Sequence, residues 1–331
     1  MELTVALISF ISGALLTRLV LWYAHKAEIF DVPNQRSSHD QPTPRGGGLS
    51  IVITVLAMVG WLWYENMISQ ELARTLLVGG GLLAVVGWQD DIHKSRAHWR
   101  LLIHFFVAAW ALFWLGGFEQ FVFGGVVISL GWVGSIFAAV GIAWMINLYN
   151  FMDGIDGLAA SEGGFVAGVG GIMLILVGAP GLASISFSLS AACLGFLVWN
   201  WSPAKIFMGD VSSGFIGFVF AVLMIEGERR GVLSLWVWVT LLALFIGDST
   251  YTLIRRVILK EQWYAAHRSH AYQQQAAVKG HKRVVTTMQL MNFLWLLPFV
   301  LLEYLFPVWV PEILVVTAVV AWFIWRRSSS V

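Results

Sequence analysis

Cysteine is almost absent. Of 331 residues only Cys193 is one, and it lies inside an apolar run. That excludes an internal disulfide and any cysteine-based metal cluster. Charge is scarce as well: 12% of residues are Asp, Glu, Lys or Arg, about half the share of a soluble domain. The net charge of +1 gives a nucleic-acid partner no electrostatic footing. No internal repeat is evident, which argues against an inverted-repeat transporter. The "PRGGG" run at 44–48 lacks the Lys-Ser/Thr of a Walker motif, so its glycines serve either a phosphate or close helix packing. No histidine pattern of zinc-binding spacing with a carboxylate partner is present.

Apolar surface is what the chain has in abundance. Hydrophobic residues make up 58%, 18 tryptophans are among them, and the mean hydropathy is +0.77. Runs of about 17–22 residues recur, each long enough to cross a hydrocarbon core roughly 30 Å thick. The expectation is an all-α polytopic membrane protein, residues 1–331 forming one integral-membrane domain. About 11 transmembrane helices are predicted, at 3–23, 46–64, 72–88, 99–116, 131–149, 158–177, 182–199, 211–226, 231–254, 288–306 and 308–326. The first run follows Glu2 rather than a basic cluster, and no small-residue cleavage site comes after it. It is therefore read as a spanning helix and not as a cleaved signal. The segment "GFEQFVFGGVVISLG" at 117–131 has the short Val, Ile and Phe pieces of a small hairpin.

The basic residues orient these spans. Alternate loops, beginning with 24–45 and including the C-terminal tail, hold 16 of the 20 lysines and arginines. By the positive-inside rule the N-terminus is expected to be periplasmic, and the basic loops and C-terminus cytoplasmic. Five polar segments fall in those same loops: "DVPNQRSSHDQPTPRGGG", "QDDIHKSR", "NLYNFMDGIDG", "NWSPAKIFMGD" and "AAHRSHAYQQ". The site is thus expected from loops 24–45, 89–100, 147–157, 200–210 and 255–287.

Each segment has a chemical reading. Asp90 and Asp91 are adjacent at a helix end, where two carboxylates repel unless a cation lies near them. They are either a solvated pair or a metal-bound carboxylate beside a base, with Lys94 placed to pair with them or to face an anion. Asn147, Asn150, Asp153 and Asp156 recur every three residues, which on a helix puts their oxygens on one face. Oxygen ligands suit Mg²⁺, with Mn²⁺ an alternative, rather than zinc. Asp156 would otherwise cap the following helix. Asp210 opens the next span, as an N-cap or as a ligand at the membrane edge. His267, Arg268 and His270 offer donors to phosphate, or else a basic loop to anionic lipid. Carboxylates and cations at a membrane surface together imply a metal-bridged phosphate or diphosphate and a lipid reactant.

The motifs "NxxNFxDGxDGLA", "FMGDxxSxFIGF", "DxPNxRSSHxxPTPRGGG" and "HRSHAYQ", in matching order between about residues 31 and 275, resemble the polyprenyl-phosphate N-acetylhexosamine-1-phosphate transferases. "DxPNxRSSHxxPTPRGGG" with "HRSHAYQ" looks most like the branch that initiates bacterial O-antigen on undecaprenyl phosphate. The resemblance implies a Mg²⁺-dependent enzyme of the bacterial inner membrane. It joins a UDP-N-acetylhexosamine to undecaprenyl phosphate and releases UMP, which opens lipopolysaccharide or related glycan synthesis. It implies Asp90 as the base on the lipid phosphate, Asp91 as its acidic neighbour, and Asp153 as a further active-site carboxylate. Asn150 and Asp210 match metal ligands, Lys94 a diphosphate ligand, and Asp156 the residue at uracil. Arg45 and Asn147 are expected to bind substrate, and His267, Arg268 and His270 to clasp diphosphate and sugar. A homodimer is compatible with the resemblance. Two departures stand out. Lys94 replaces an aspartate found in one N-acetylglucosamine-using branch. "HRSH" replaces three consecutive histidines, which argues against a muramyl-pentapeptide substrate; N-acetylglucosamine, N-acetylfucosamine and N-acetylquinovosamine all stay open, with 6-deoxy sugars or an unspecific N-acetylhexosamine preference favoured. The alternatives are a cation-coupled transporter, which needs polar residues at mid-membrane, and a CDP-alcohol-type transferase, which needs a denser aspartate array on one helix.

Overall fold

A computed structural model describes residues 1–33, 41–93, 97–261, 268–317 and 320. The chain is mostly helical. Its elements are α1 (Glu2–Lys26), β1 (Phe30–Asp31), β2 (Thr43–Pro44), α2 (Leu49–Tyr64), α3 (Gln70–Arg74), α4 (Gly81–His93), α5 (Ala97–Leu115), β3 (Gln120–Phe123), β4 (Val126–Ser129), α6 (Trp132–Met152), α7 (Leu158–Leu176), α8 (Pro180–Asn200), α9 (Asp210–Arg229), α10 (Leu235–Leu241), α11 (Ala243–Ile258), α12 (Ala271–Lys279), α13 (His281–Met291) and α14 (Leu297–Leu305). A π-helical segment, Thr75–Gly80, joins α3 to α4, and another, Asn292–Leu296, joins α13 to α14.

Among the described residues eight helical stretches are long and apolar enough to span a membrane. The pair α10–α11, bent by 76°, makes a ninth if it is one span. The expected count of eleven is not reached by this measure among the described residues. The segment predicted at 46–64 is the shorter apolar helix α2, and the described part of the one predicted at 308–326 is the apolar helix Pro307–Thr317. α2 starts late because its leading glycines are drawn into backbone bonds with another loop, Gly47 N–H to the Phe207 carbonyl and Gly48 N–H to Met208, both at 2.9 Å. The predicted hairpin forms, with Phe121 opposite Ile128. It is fastened by Glu228, which accepts the Val122 N–H at 2.6 Å and the Leu235 N–H at 2.8 Å.

α9 is the centre of the bundle. Every residue from Val211 to Glu228 is buried, as a helix apolar on all sides requires. α4 and α6 flank it. α7 and α8 pack together beyond, and α1 lies on α8 with Leu3, Leu7, Leu15 and Leu19 exposed on its outer side. Water-driven burial does not join helices inside lipid, so small and hydroxyl side chains mediate the contacts. Ser9 bonds Ser188 at 2.9 Å, Thr17 pairs with Ser50 at 2.7 Å, and Ser190 donates to the Gly164 carbonyl at 2.7 Å.

α4 and α9 meet backbone to backbone. A Cβ on Gly87 would lie 2.2 Å from the Asp210 carbonyl oxygen and 2.7 Å from the Val211 Cα, so α4 rests directly on the first turn of α9. Gly87→Ala is expected to lower the thermal midpoint of the detergent-solubilised protein, because overpacking against backbone costs about 1–3 kcal/mol. A midpoint equal to the unsubstituted protein's would show that the two helices separate freely.

Candidate active site

The Gly87 contact brings the end of α4 against the start of α9. Asp91 there accepts the Asp210 N–H at 2.9 Å and the Val211 N–H at 3.1 Å. A carboxylate from one helix thus caps the positive end of another. Gly209 makes the turn with φ of 83°, and a Cβ on it would lie 2.5 Å from Asp91 Oδ2, so glycine is needed both for conformation and for space.

Two arginines brace the acids. The β1–β2 pairing, with Phe30 opposite Pro44, delivers Arg45. Its Nε lies 2.8 Å from Asp91 Oδ1 and its Nη2 3.0 Å from Asp210 Oδ1. Burial opposes the charge of Arg45, but Asp210 and Asp91 more than offset that and hold its pKa above the ordinary value. Arg100, from α5, places Nη1 2.7 Å from Asp90 Oδ2 and 3.4 Å from Asp210 Oδ2. Asp90 and Asp210 thus share one guanidinium nitrogen. Asn150 donates through Nδ2 to Asp210 Oδ1 at 3.0 Å and to Ser213 Oγ at 2.9 Å. The glycines of "PRGGG" serve packing: a Cβ on Gly48 would fall on the Ser212 hydroxyl.

The predicted oxygen stripe divides. α6 ends at Met152, so only Asn147 and Asn150 lie on its face. Asp153 turns out of the helix with φ −89° and ψ 57°, still within the field of Arg45, Asp210 and Asp91. Burial pushes its carboxyl up to about 7, with Asp210 and Asp91 adding to the shift and Arg45 and the Gly209 N–H opposing it. A raised carboxyl pKa favours the protonated form in the fold. Its stabilising contribution is full below 3.8 and is lost as pH rises through about 7. Between those limits Asp153→Asn should flatten the fall of thermal stability with rising pH, read from midpoints across that range. A slope equal to the unsubstituted protein's would disprove the shift.

Asp156 goes elsewhere. Its Oδ2 lies 3.2 Å from the Ala204 N–H and 3.2 Å from His281 Nδ1. Burial alone would raise this carboxyl, but the bonds from His281, Ala204 and Ser202 hold it below the usual range. Next to it the Gly157 N–H donates to Asn200 Oδ1 at 2.9 Å. Asn147 Nδ2 lies 2.9 Å from His104 Nδ1. Together with Asp90, Arg100 and Asn150, this pair lines a small cavity whose other wall is the apolar Leu83, Val86 and Ile146.

All five predicted loops therefore contribute to one end of the bundle. Lys94 and His267 lie outside the described residues. Arg268 is exposed, whereas His270 is buried at 3% exposure beside Asp248. Sequence reasoning missed Arg100, His104, His281 and Asp248 as site residues. For Asp248 a signal existed, a carboxylate within an apolar run. For Arg100, ten residues after Asp90, spacing held none.

Among the described residues no three Asp, Glu, His or Cys side chains gather closely enough to hold a metal by themselves. The oxygen donors Asp210, Asp90 and Asn150 fit a hard cation of the Mg²⁺ type, which takes one or two carboxylates and fills its shell with water and substrate phosphate.

Fold and site define a multi-pass membrane protein with an arginine-braced acidic centre at one end of its helices. Glycosyl transferase family 4 matches residues 73–228, the stretch that carries Asp90, Asp91, Arg100, Asn150 and Asp210. A probable undecaprenyl-phosphate N-acetylglucosaminyl 1-phosphate transferase of Bacillus subtilis (strain 168) is 29% identical over 304 residues, covering 90% of this chain and 84% of the relative. A phospho-N-acetylmuramoyl-pentapeptide-transferase of Synechococcus sp. (strain JA-3-3Ab) is 33% identical over 257 residues, 71% of this chain and 72% of the relative. An undecaprenyl-phosphate alpha-N-acetylglucosaminyl 1-phosphate transferase of Salmonella typhi is 28% identical over 291 residues, 82% of this chain and 77% of the relative. The chain belongs to this family, the polyprenyl-phosphate N-acetylhexosamine-1-phosphate transferases. The transporter alternative has no support among these relatives.

Proposed function

We propose that the protein transfers N-acetylhexosamine 1-phosphate from a UDP-sugar to undecaprenyl phosphate at the cytoplasmic face of the bacterial inner membrane. The carrying observation is the cluster of Asp90, Asp91, Asp210 and Asn150 with Arg45 and Arg100, at the ends of apolar spans and beside a cavity with one apolar wall. Lysines and arginines crowd the loops at that end, which supports its cytoplasmic placement.

In this reading Asp90 takes the proton of the lipid phosphate, whose oxygen attacks the β-phosphorus of the UDP-sugar in line. The bond between that phosphorus and the bridging oxygen breaks, UMP leaves with the oxygen, and undecaprenyl-diphosphate-sugar remains. Arg100 orients Asp90 and offers its guanidinium to the lipid phosphate. Asp210 and Asn150 would hold Mg²⁺, whose chemistry there is to neutralise the diphosphate charge. Arg45 holds Asp91 and Asp210 in register, and Asp91 keeps the start of α9 in place. The names of the Bacillus and Salmonella relatives make UDP-N-acetylglucosamine the first donor to test. The "HRSH" segment supports a donor without a pentapeptide, and the O-antigen-like motifs support a role in starting a cell-surface glycan.

The test is UMP release by purified protein with Mg²⁺, undecaprenyl phosphate and UDP-linked N-acetylglucosamine, N-acetylfucosamine and N-acetylquinovosamine. Release with one or more sugars is expected. No UMP from any of these or from UDP-muramyl-pentapeptide would sink the reading.

A further inference from the structure

Asp248 has no role in the reaction above, yet it is among the most heavily bonded carboxylates in the molecule. It lies in α11, in the middle of an apolar run, and is buried. Its Oδ1 accepts the Ala271 N–H at 3.1 Å and the Thr252 hydroxyl at 3.1 Å, and lies 3.2 Å from His270 Nδ1. Its Oδ2 accepts the Tyr272 N–H at 3.1 Å. Both backbone donors belong to the first turn of α12, which otherwise has no side-chain cap of its own. A carboxylate from the neighbouring helix thus supplies the acceptors that the α12 start lacks.

The same turn reaches the loop that follows α6. The Tyr272 hydroxyl donates to the Phe151 carbonyl at 2.8 Å, and a Cβ on Gly154 would collide with that hydroxyl. The His270 ring lies between Phe151 and Tyr272, with centroids at 6.1 Å and 5.7 Å. One carboxylate therefore sets the height of α12, α12 sets Tyr272 and His270, and these two rest on the segment that leads from Asn150 to Asp153.

We propose that Asp248 is a positioning residue: it registers the late segment, 268–279, on the Asn150–Asp156 loop and so shapes the donor side of the site. The part concerning turnover rests on the function proposed above, and the part concerning geometry does not. Asp248→Asn keeps the shape but presents an amide N–H₂ to groups that themselves donate. Loss of charge-assisted bonds to a carboxylate should raise the KM for UDP-N-acetylglucosamine between about 10- and 100-fold, with a smaller change in kcat.

Two measurements test this. The first is hydrogen–deuterium exchange of the peptide containing Ala271 and Tyr272 in the full-length protein. Faster exchange is expected in Asp248→Asn, with α9 unaffected. Unchanged exchange would overturn the proposal whatever the substrate is. The second is a double-mutant cycle on KM with Tyr272→Phe, which removes only the bond to Phe151. Effects transmitted through Tyr272 are non-additive, whereas additive effects would overturn the proposed route. If Asp248→Asn fails to accumulate, Tyr272→Phe alone decides: it should raise KM several-fold with kcat nearly kept, and an unchanged KM overturns the idea.

Discussion

Asp210→Ala is expected to reduce UMP release by about 10³-fold or more, the scale of losing a central electrostatic group in a preorganised site. Three neighbours converge on this carboxylate: Arg45 at 3.0 Å, Arg100 at 3.4 Å and Asn150 at 3.0 Å. Its removal takes away the central oxygen pair, the acceptor that fixes Asn150, and the acid shared by the two arginines. The fold should survive. The start of α9 is capped by the Asp91 side chain through the N–H groups of Asp210 and Val211, and those backbone groups remain. Asp210→Asn is the sharper control, since it keeps the volume and removes the charge. The check is UMP release alongside the thermal midpoint in the same detergent. Near-normal turnover in Asp210→Ala would remove Asp210 from the reaction and with it the proposed metal position.

The second large effect concerns a conservative change. Arg45→Lys is expected to lower kcat/KM by about 10²-fold although the charge is kept. Arg45 uses two different nitrogens, Nε on Asp91 and Nη2 on Asp210, and so spans two carboxylates from different helices. Lysine is a point charge on a flexible stem and cannot reproduce that fork. Arg100 supplies an internal comparison. A single nitrogen, Nη1, makes both of its acid contacts. Arg100→Lys should therefore lose less than Arg45→Lys. Equal losses in the two lysine variants, measured with UDP-N-acetylglucosamine and undecaprenyl phosphate both varied, would show that charge and not geometry is what Arg45 supplies.

Much of this protein is legible along the chain. Apolar runs of spanning length, separated by polar loops, dictate helices, because a backbone in hydrocarbon must satisfy its own hydrogen bonds. The alternation of those runs, read with the lysine and arginine count, assigns the five polar segments to one face, and the structure gathers the described parts of all five at one end. The hairpin at Gln120–Ser129 follows from its β-branched and aromatic residues around a glycine pair. Asp90, Asp91, Asn150 and Asp210 stand out by type, since carboxylates and amides are rare in such a composition.

What each of them meets was decided by packing. Arg45 is 165 residues from Asp210, and the two meet only because Gly47 and Gly48 let one loop lie on another. Asp90 reaches Asp210 only because Gly87 brings backbone to backbone. A three-residue period promised one stripe from Asn147 to Asp156, but periodicity describes a helix only while the helix lasts, and α6 stops at Met152. Asp156 then turns to His281, and His270, which reads as an exposed phosphate ligand, is buried beside an aspartate 22 residues before it. Local rules set which face a side chain occupies. Its partner across the bundle depends on how closely two helices approach, and that distance is a property of the whole packed structure.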